Sequence, residues 1–129
     1  MPHTVCDANY VLRWFLNDVP EQELIVQGLL TDSPIGCIYL DRTSMAEVSY
    51  VLRNKGYDNK QISTVIREFC FYSSVKSLSG AVNLTLDIFE ATTLDFEDCF
   101  IIAYCKINKA QPVTFDKKLL KVASQIGAL

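Results

Sequence analysis

The chain has 129 residues, half of them hydrophobic and 21% charged, a composition that suits one folded domain and argues against disorder. Its net charge of −3 excludes a broad basic field, so contact with nucleic acid has to rest on a local patch or a metal ion. Five scattered cysteines without a CxxC pair, and no apolar run approaching the ~18 residues of a membrane span, point to a reduced cytoplasmic protein with no membrane anchor.

Residues 4–6 (Thr-Val-Cys) are a short strand candidate, followed by a helix through Val11, Leu12, Phe15 and Leu16. Pro20 opens a second helix, in keeping with proline's preference for a first helical turn. The turn residues Asp32-Ser33-Pro34 precede an apolar run of strand length, residues 35–40. Residues 44–54 are helical with Met45, Val48 and Leu52 on one stripe, and Gly56 stands past the end as a stop. Asp58 begins the clearest helix, with Gln61 at capping-box spacing and Ile62, Val65, Ile66, Phe69 and Cys70 on its apolar face. Residues 81–84 suggest a weak strand and 86–91 a short helix. A long helix over 95–109 is apolar almost all round, which places it in the middle of the structure. Residues 112–115 suggest a last strand and 117–123 a last helix.

Short apolar strands alternating with helices imply a parallel sheet covered on both faces, and so a single domain over residues 1–129 of the α/β class, a three-layer α/β/α sandwich with a short parallel sheet. Ligands of such sheets bind beyond the carboxyl ends of the strands. Asp7 follows the first strand candidate and Asp116 the last, while Glu47 and Asp98 fall in the first turns of their helices. Taken singly, each acid reads equally well as a helix cap or capping-box partner, Ser44 with Glu47 and Asp95 with Asp98 having that spacing. Taken together they do not, because caps need not be acids, and four carboxylates at one edge repel one another unless a cation sits between them. Oxygen-only ligands suit Mg²⁺ or Mn²⁺ rather than zinc.

At these residues the chain resembles the PIN-domain ribonucleases, most closely the toxins of VapBC toxin–antitoxin pairs. Asp7-Ala8-Asn9-Tyr10-Val11-Leu12-Arg13 is similar to the family's opening D-[TA]-N-x-[VIL]-L-R, and Asn17 to Gln22 to its D-x-P-E-Q. The segment from Ser44 to Arg53 resembles L-x-E-x-x-W-V-L-R, with Tyr50 at the aromatic position. Asp95-Phe96-Glu97-Asp98-Cys99 is similar to D-F-A-D-A, with Glu97 and Cys99 in place of small residues, and Thr114-Phe115-Asp116 to T-F-D. Each piece is short; five in order along one chain are specific.

The resemblance implies that Asp7, Glu47 and Asp98 form an acidic core with Asp116 as a fourth acid, all four catalytic and metal-binding, and that Asn9 orients Asp7 or the metal's water. It implies Mg²⁺- or Mn²⁺-dependent hydrolysis of RNA, a small antitoxin as partner, and a homodimer. Asn9, Arg13 and Lys117 are the candidates to contact substrate, Arg13 and Lys117 lying near the acids in sequence; Arg53, Lys106, Lys109, Lys118 and Lys121 would extend a phosphate-tracking rim. His3, the only histidine, is given no role. Two rivals remain open: a PIN fold that binds a partner without cutting, and a receiver-like phosphoacceptor, for which the paired acids after the first strand are missing.

Overall fold

The computed structural model describes residues 4–128, so His3 lies outside the described residues. The chain divides into two compact units, one running to Leu78 and one beginning at Ser79.

In the first unit, β1 (Thr4–Cys6) pairs in parallel with β2 (Ile38–Leu40), in the register Thr4↔Ile38, Val5↔Tyr39 and Cys6↔Leu40. Between them run α1 (Ala8–Leu16) and α2 (Pro20–Asp32). α1 stops because Asn17 adopts a left-handed conformation (φ 55°) and returns its N–H to the Arg13 carbonyl. Pro20 then starts α2 at the position expected for it. β2 is followed by α3 (Arg42–Asn54) and α4 (Asn59–Cys70). Gly56, with φ of 98°, makes the stop after α3 that a residue with a Cβ would make only under strain. α4 carries the expected capping box, the Asp58 carboxylate accepting from the Gln61 N–H while the Gln61 side chain accepts from the Asp58 N–H. α1 packs on α2, α3 and α4, and α3 on α4. Val11, Ile38, Val48, Leu52, Ile62, Ile66 and Phe69 are fully buried there, with Trp14 edge-on to Phe69 at 5.4 Å between ring centroids.

The second unit holds α5 (Gly80–Ala91), α6 (Phe96–Asn108) and α7 (Lys117–Gln125), with α6 packed on both others. Leu86, Phe89, Phe96, Ile102 and Ala123 are buried, and Phe89 meets Phe96 edge to face at 5.8 Å.

The α/β class with a short parallel sheet is present, but several elements differ from expectation. β2 begins only at Ile38, because Gly36 (φ 70°) and the bond from the Cys37 N–H to the Pro34 carbonyl turn the chain over the first half of the apolar run. Residues 81–84 are not a strand but the first turns of α5. The Ser79 hydroxyl accepts from the Val82 N–H and Thr85 donates to the Ala81 carbonyl, so the helix runs through the run whose shortness made its type ambiguous. Residues 112–115 form no strand: Val113 and Phe115 stand fully in solvent, and the Asp116 N–H donates to the Thr114 hydroxyl. α6 is not wrapped on all sides, since Ile101, Tyr104 and Ile107 form an exposed stripe. Nor are the strands buried on both faces, because Val5 is 69% and Tyr39 39% exposed. A further isolated parallel bridge, Ile38↔Val75, has no strand signal in the sequence; it is built by bonds from the Ile38 N–H to the Ser74 carbonyl and from the Lys76 N–H to the Ile38 carbonyl.

Candidate functional site

Asp7 leaves β1 in extended geometry and caps α1: its Oδ1 accepts from the Asn9 N–H at 3.0 Å. The cap uses one carboxylate oxygen, and an ionised carboxylate has acceptor sites on both. Capping and ligation are therefore compatible at this residue. The parallel register sets Asp41 beside it, since Cys6 is level with Leu40 and each strand ends in an aspartate. Both carboxylates reach Cys6 electrostatically. Its buried thiol is pushed up to about 11, chiefly by burial, with Asp7 and then Asp41 adding to the rise.

Asp41 was not singled out from the sequence. The spacing of Ser44 and Glu47 suggested that the helix is capped at Ser44, whereas Asp41 is the cap and accepts from the Ser44 N–H at 3.1 Å. The signal was present in the repeat of one pattern, an apolar run ended by an acid, at Cys6-Asp7 and Leu40-Asp41. The correction changes Glu47 as well. With the helix starting at Arg42, Glu47 lies in its second turn, solvent-exposed and outside any capping box. The capping-box explanation for Glu47 is thereby removed.

Asn9 and Arg13 stand on α1, one above the other at helical spacing. With Asp7 and Tyr10 they line one wall of a cavity of about 290 Å³. Gln22, Ile25 and Val26 of α2 line the other. Arg13 Nη1 is paired with Asp18 Oδ1 at 3.2 Å, while its Nε is buried without a hydrogen-bond partner. The D-x-P-E-Q-like segment is thus accounted for: Asp18 holds Arg13, Pro20 starts α2, and Gln22 reaches the cavity.

In the second unit, Asp98 sits in the first turn of α6, half-buried, and its N-cap Asp95 makes no side-chain capping bond. The Asp98 carboxyl is raised above its ordinary value, first by burial and then by the charges of Asp95, Asp116 and Glu97. Asp116 follows a loop rather than a strand and caps α7, its Oδ1 accepting from the Lys118 and Leu119 N–H groups at 2.9 and 3.1 Å. Lys117, the first residue of α7, is exposed. The wider basic rim is partly committed elsewhere. Lys106 donates to the Ile126 carbonyl, Lys118 to the Thr93 hydroxyl, and Arg53 to Asn59.

Asp7 and Glu47 therefore belong to the first unit, and Asp98 and Asp116 to the second. Among the described residues, no three of His, Cys, Asp and Glu form a group that could hold a metal ion. The donor chemistry nonetheless fits a hard divalent cation: every candidate ligand is a carboxylate, and Asp98 is destabilised in its charged form by three neighbours of the same sign.

A PIN domain model matches residues 4–125, nearly the whole chain and across both units. The chain belongs to the PIN domain family. That fold is generally a nuclease fold, and the acids at positions 7, 47, 98 and 116 are those that the family resemblance singles out. No curated protein and no solved structure matches the chain. Among the described residues no helix is long and apolar enough to cross a membrane.

Proposed function

We propose that this PIN domain is a Mg²⁺- or Mn²⁺-dependent endoribonuclease, acting in the cytoplasm as the toxin of a type II toxin–antitoxin pair. The observation that carries the reading is the carboxylate crowding at Asp98, where burial and three acids all disfavour the charged form. Such a site gains most from a divalent counterion. Asp7, Glu47, Asp98 and Asp116 are the residues assigned to hold it. A divalent ion held by carboxylates supplies an acidified water and charge neutralisation at a phosphodiester.

The chain's own share is to fix those carboxylates. Asp7 is oriented by the Asn9 N–H, and Asp116 by two N–H groups at the start of α7. Each bond restricts the carboxylate's rotation in the way that outer hydrogen bonds orient metal ligands. No nucleophilic side chain is required. Exposed Lys117 supplies positive charge for the RNA backbone, and the part-buried Arg13 is a substrate contact beside Asp7. The exposed stripe of Ile101, Tyr104 and Ile107 on α6 supports a homodimer and an antitoxin that covers apolar surface. Five free cysteines suit a reducing compartment.

The test is incubation with defined transfer and ribosomal RNAs, with Mg²⁺ or with EDTA, for the parent chain and Asp7→Asn. Asn caps a helix as well as Asp does but is a poorer cation ligand, so the variant keeps α1 and is expected to lose cleavage. Metal-dependent fragments made equally well by Asp7→Asn contradict the assignment. RNA binding without any Mg²⁺-dependent cleavage would make the chain a non-catalytic PIN module.

A further inference from the structure

The cavity between α1 and α2 is not explained by metal binding, because only one of its lining residues is an acid. Its charge is balanced rather than positive: Asp7 is at its wall, and the Arg13 guanidinium is neutralised by Asp18 at 3.2 Å. A phosphate placed there meets one carboxylate directly and an arginine already paired. An uncharged, flat ligand with hydrogen-bonding edges meets better partners. Tyr10 offers an aromatic face, and Ile25 and buried Val26 an apolar wall. Asn9 and Gln22 offer amides that both donate and accept. These are the elements with which proteins read unpaired RNA bases, by stacking on an aromatic and bonding to base edges.

We propose that this cavity is a base-binding subsite, taking an unpaired RNA base next to the phosphate that is cut and so setting the sequence preference of cleavage. The position relative to the scissile phosphate rests on the endoribonuclease reading, since Asp7 is shared by the cavity and the acidic set. In the bound state the Asn9 and Gln22 amides pair with edge atoms of the base, beside Arg13, which lines the same cavity. Asp18 holds the guanidinium in place at the cavity wall, which gives the Arg13–Asp18 pair a positioning role.

The test uses the isotope-labelled full chain in EDTA, where neither metal binding nor cleavage takes place. The four nucleoside 5′-monophosphates are titrated separately, with inorganic phosphate as the control, while the Arg13 Nε–H and the Asn9 and Gln22 amide resonances are followed. At least one nucleotide is expected to shift these signals saturably, with phosphate giving no such shift. Gln22→Ala, checked for an unchanged fold by its amide spectrum, is expected to weaken binding about 5-fold, the value of one lost hydrogen bond. Equal responses to phosphate and nucleotide would reassign the cavity to a simple anion site and overturn the proposal. So would the absence of any nucleotide response, or undiminished binding by Gln22→Ala. The two readings fail separately. Mg²⁺-dependent cleavage with a silent cavity removes only the subsite, whereas nucleotide binding in a chain that never cleaves removes only the nuclease.

Discussion

The two units of this chain treat their acids in opposite ways. In the first, negative charge is dispersed: Asp7 and Asp41 sit at the ends of neighbouring strands, each engaged by a backbone N–H, and Asp18 is matched by Arg13. In the second, charge is concentrated: Asp95, Glu97 and Asp116 all raise the Asp98 carboxyl, which is already disfavoured by burial. The contrast separates two tasks. Balanced charge beside an aromatic and two amides suits recognition of a neutral edge, while unbalanced charge suits capture of a cation.

The largest expected effects bear on whether the two units stand or fall separately. Phe69 in the first and Phe89 in the second are both fully buried and make edge-to-face ring contacts. Phe69→Ala and Phe89→Ala are each expected to cost about 3–5 kcal/mol of stability by denaturant titration. One shared unfolding transition in both variants would show the units to be coupled; loss of only the mutated unit's amide protection in hydrogen exchange would show them to be independent.

Asp98→Asn sharpens the electrostatic half of the comparison. Cleavage is expected to fall more than about 100-fold, beyond what loss of a residue that only orients a ligand costs. Stability should move the other way. Because the folded-state value of Asp98 lies above its ordinary one, the folded chain holds this proton more tightly than the unfolded chain does. The penalty is fully present above the folded-state value and is relieved as pH falls through it. Asp98→Asn removes it at once, so the metal-free variant is expected to melt no lower than the parent at pH 7 and to lose that pH dependence. A melting temperature clearly below the parent's would mean that the Asp98 charge is satisfied within the fold.

How much of this could be read from residues alone depended on whether the deciding interaction was local. The Asp58–Gln61 capping box, Pro20 at the start of α2 and Gly56 past α3 involve neighbours in sequence, and each was legible. The cap of α3 differs from expectation because Asp41 and Ser44 are both good N-cap residues three positions apart, and only the chain's actual turn shows that Asp41 takes the role. Residues 81–84 and 112–115 failed for a different reason. A short apolar run carries no period, and its fate depends on whether a strand partner or a helix face awaits it. The Asp98 crowding was half legible, since Asp95 and Glu97 are its neighbours along α6, while Asp116 is brought near by the packing of α7 on α6. The α1–α2 cavity was not legible at all. The motif around Pro20 was visible, but its meaning required Asp18 to fold back onto Arg13.

The most direct test of the central claim, that separated carboxylates act together on a hard divalent ion, is a Mg²⁺ titration of the parent, Asp7→Asn and Asp98→Asn followed by calorimetry at low salt. The expected result is a saturable site in the parent that is lost or strongly weakened in both variants, one from each unit. Equal Mg²⁺ binding by all three proteins would contradict it.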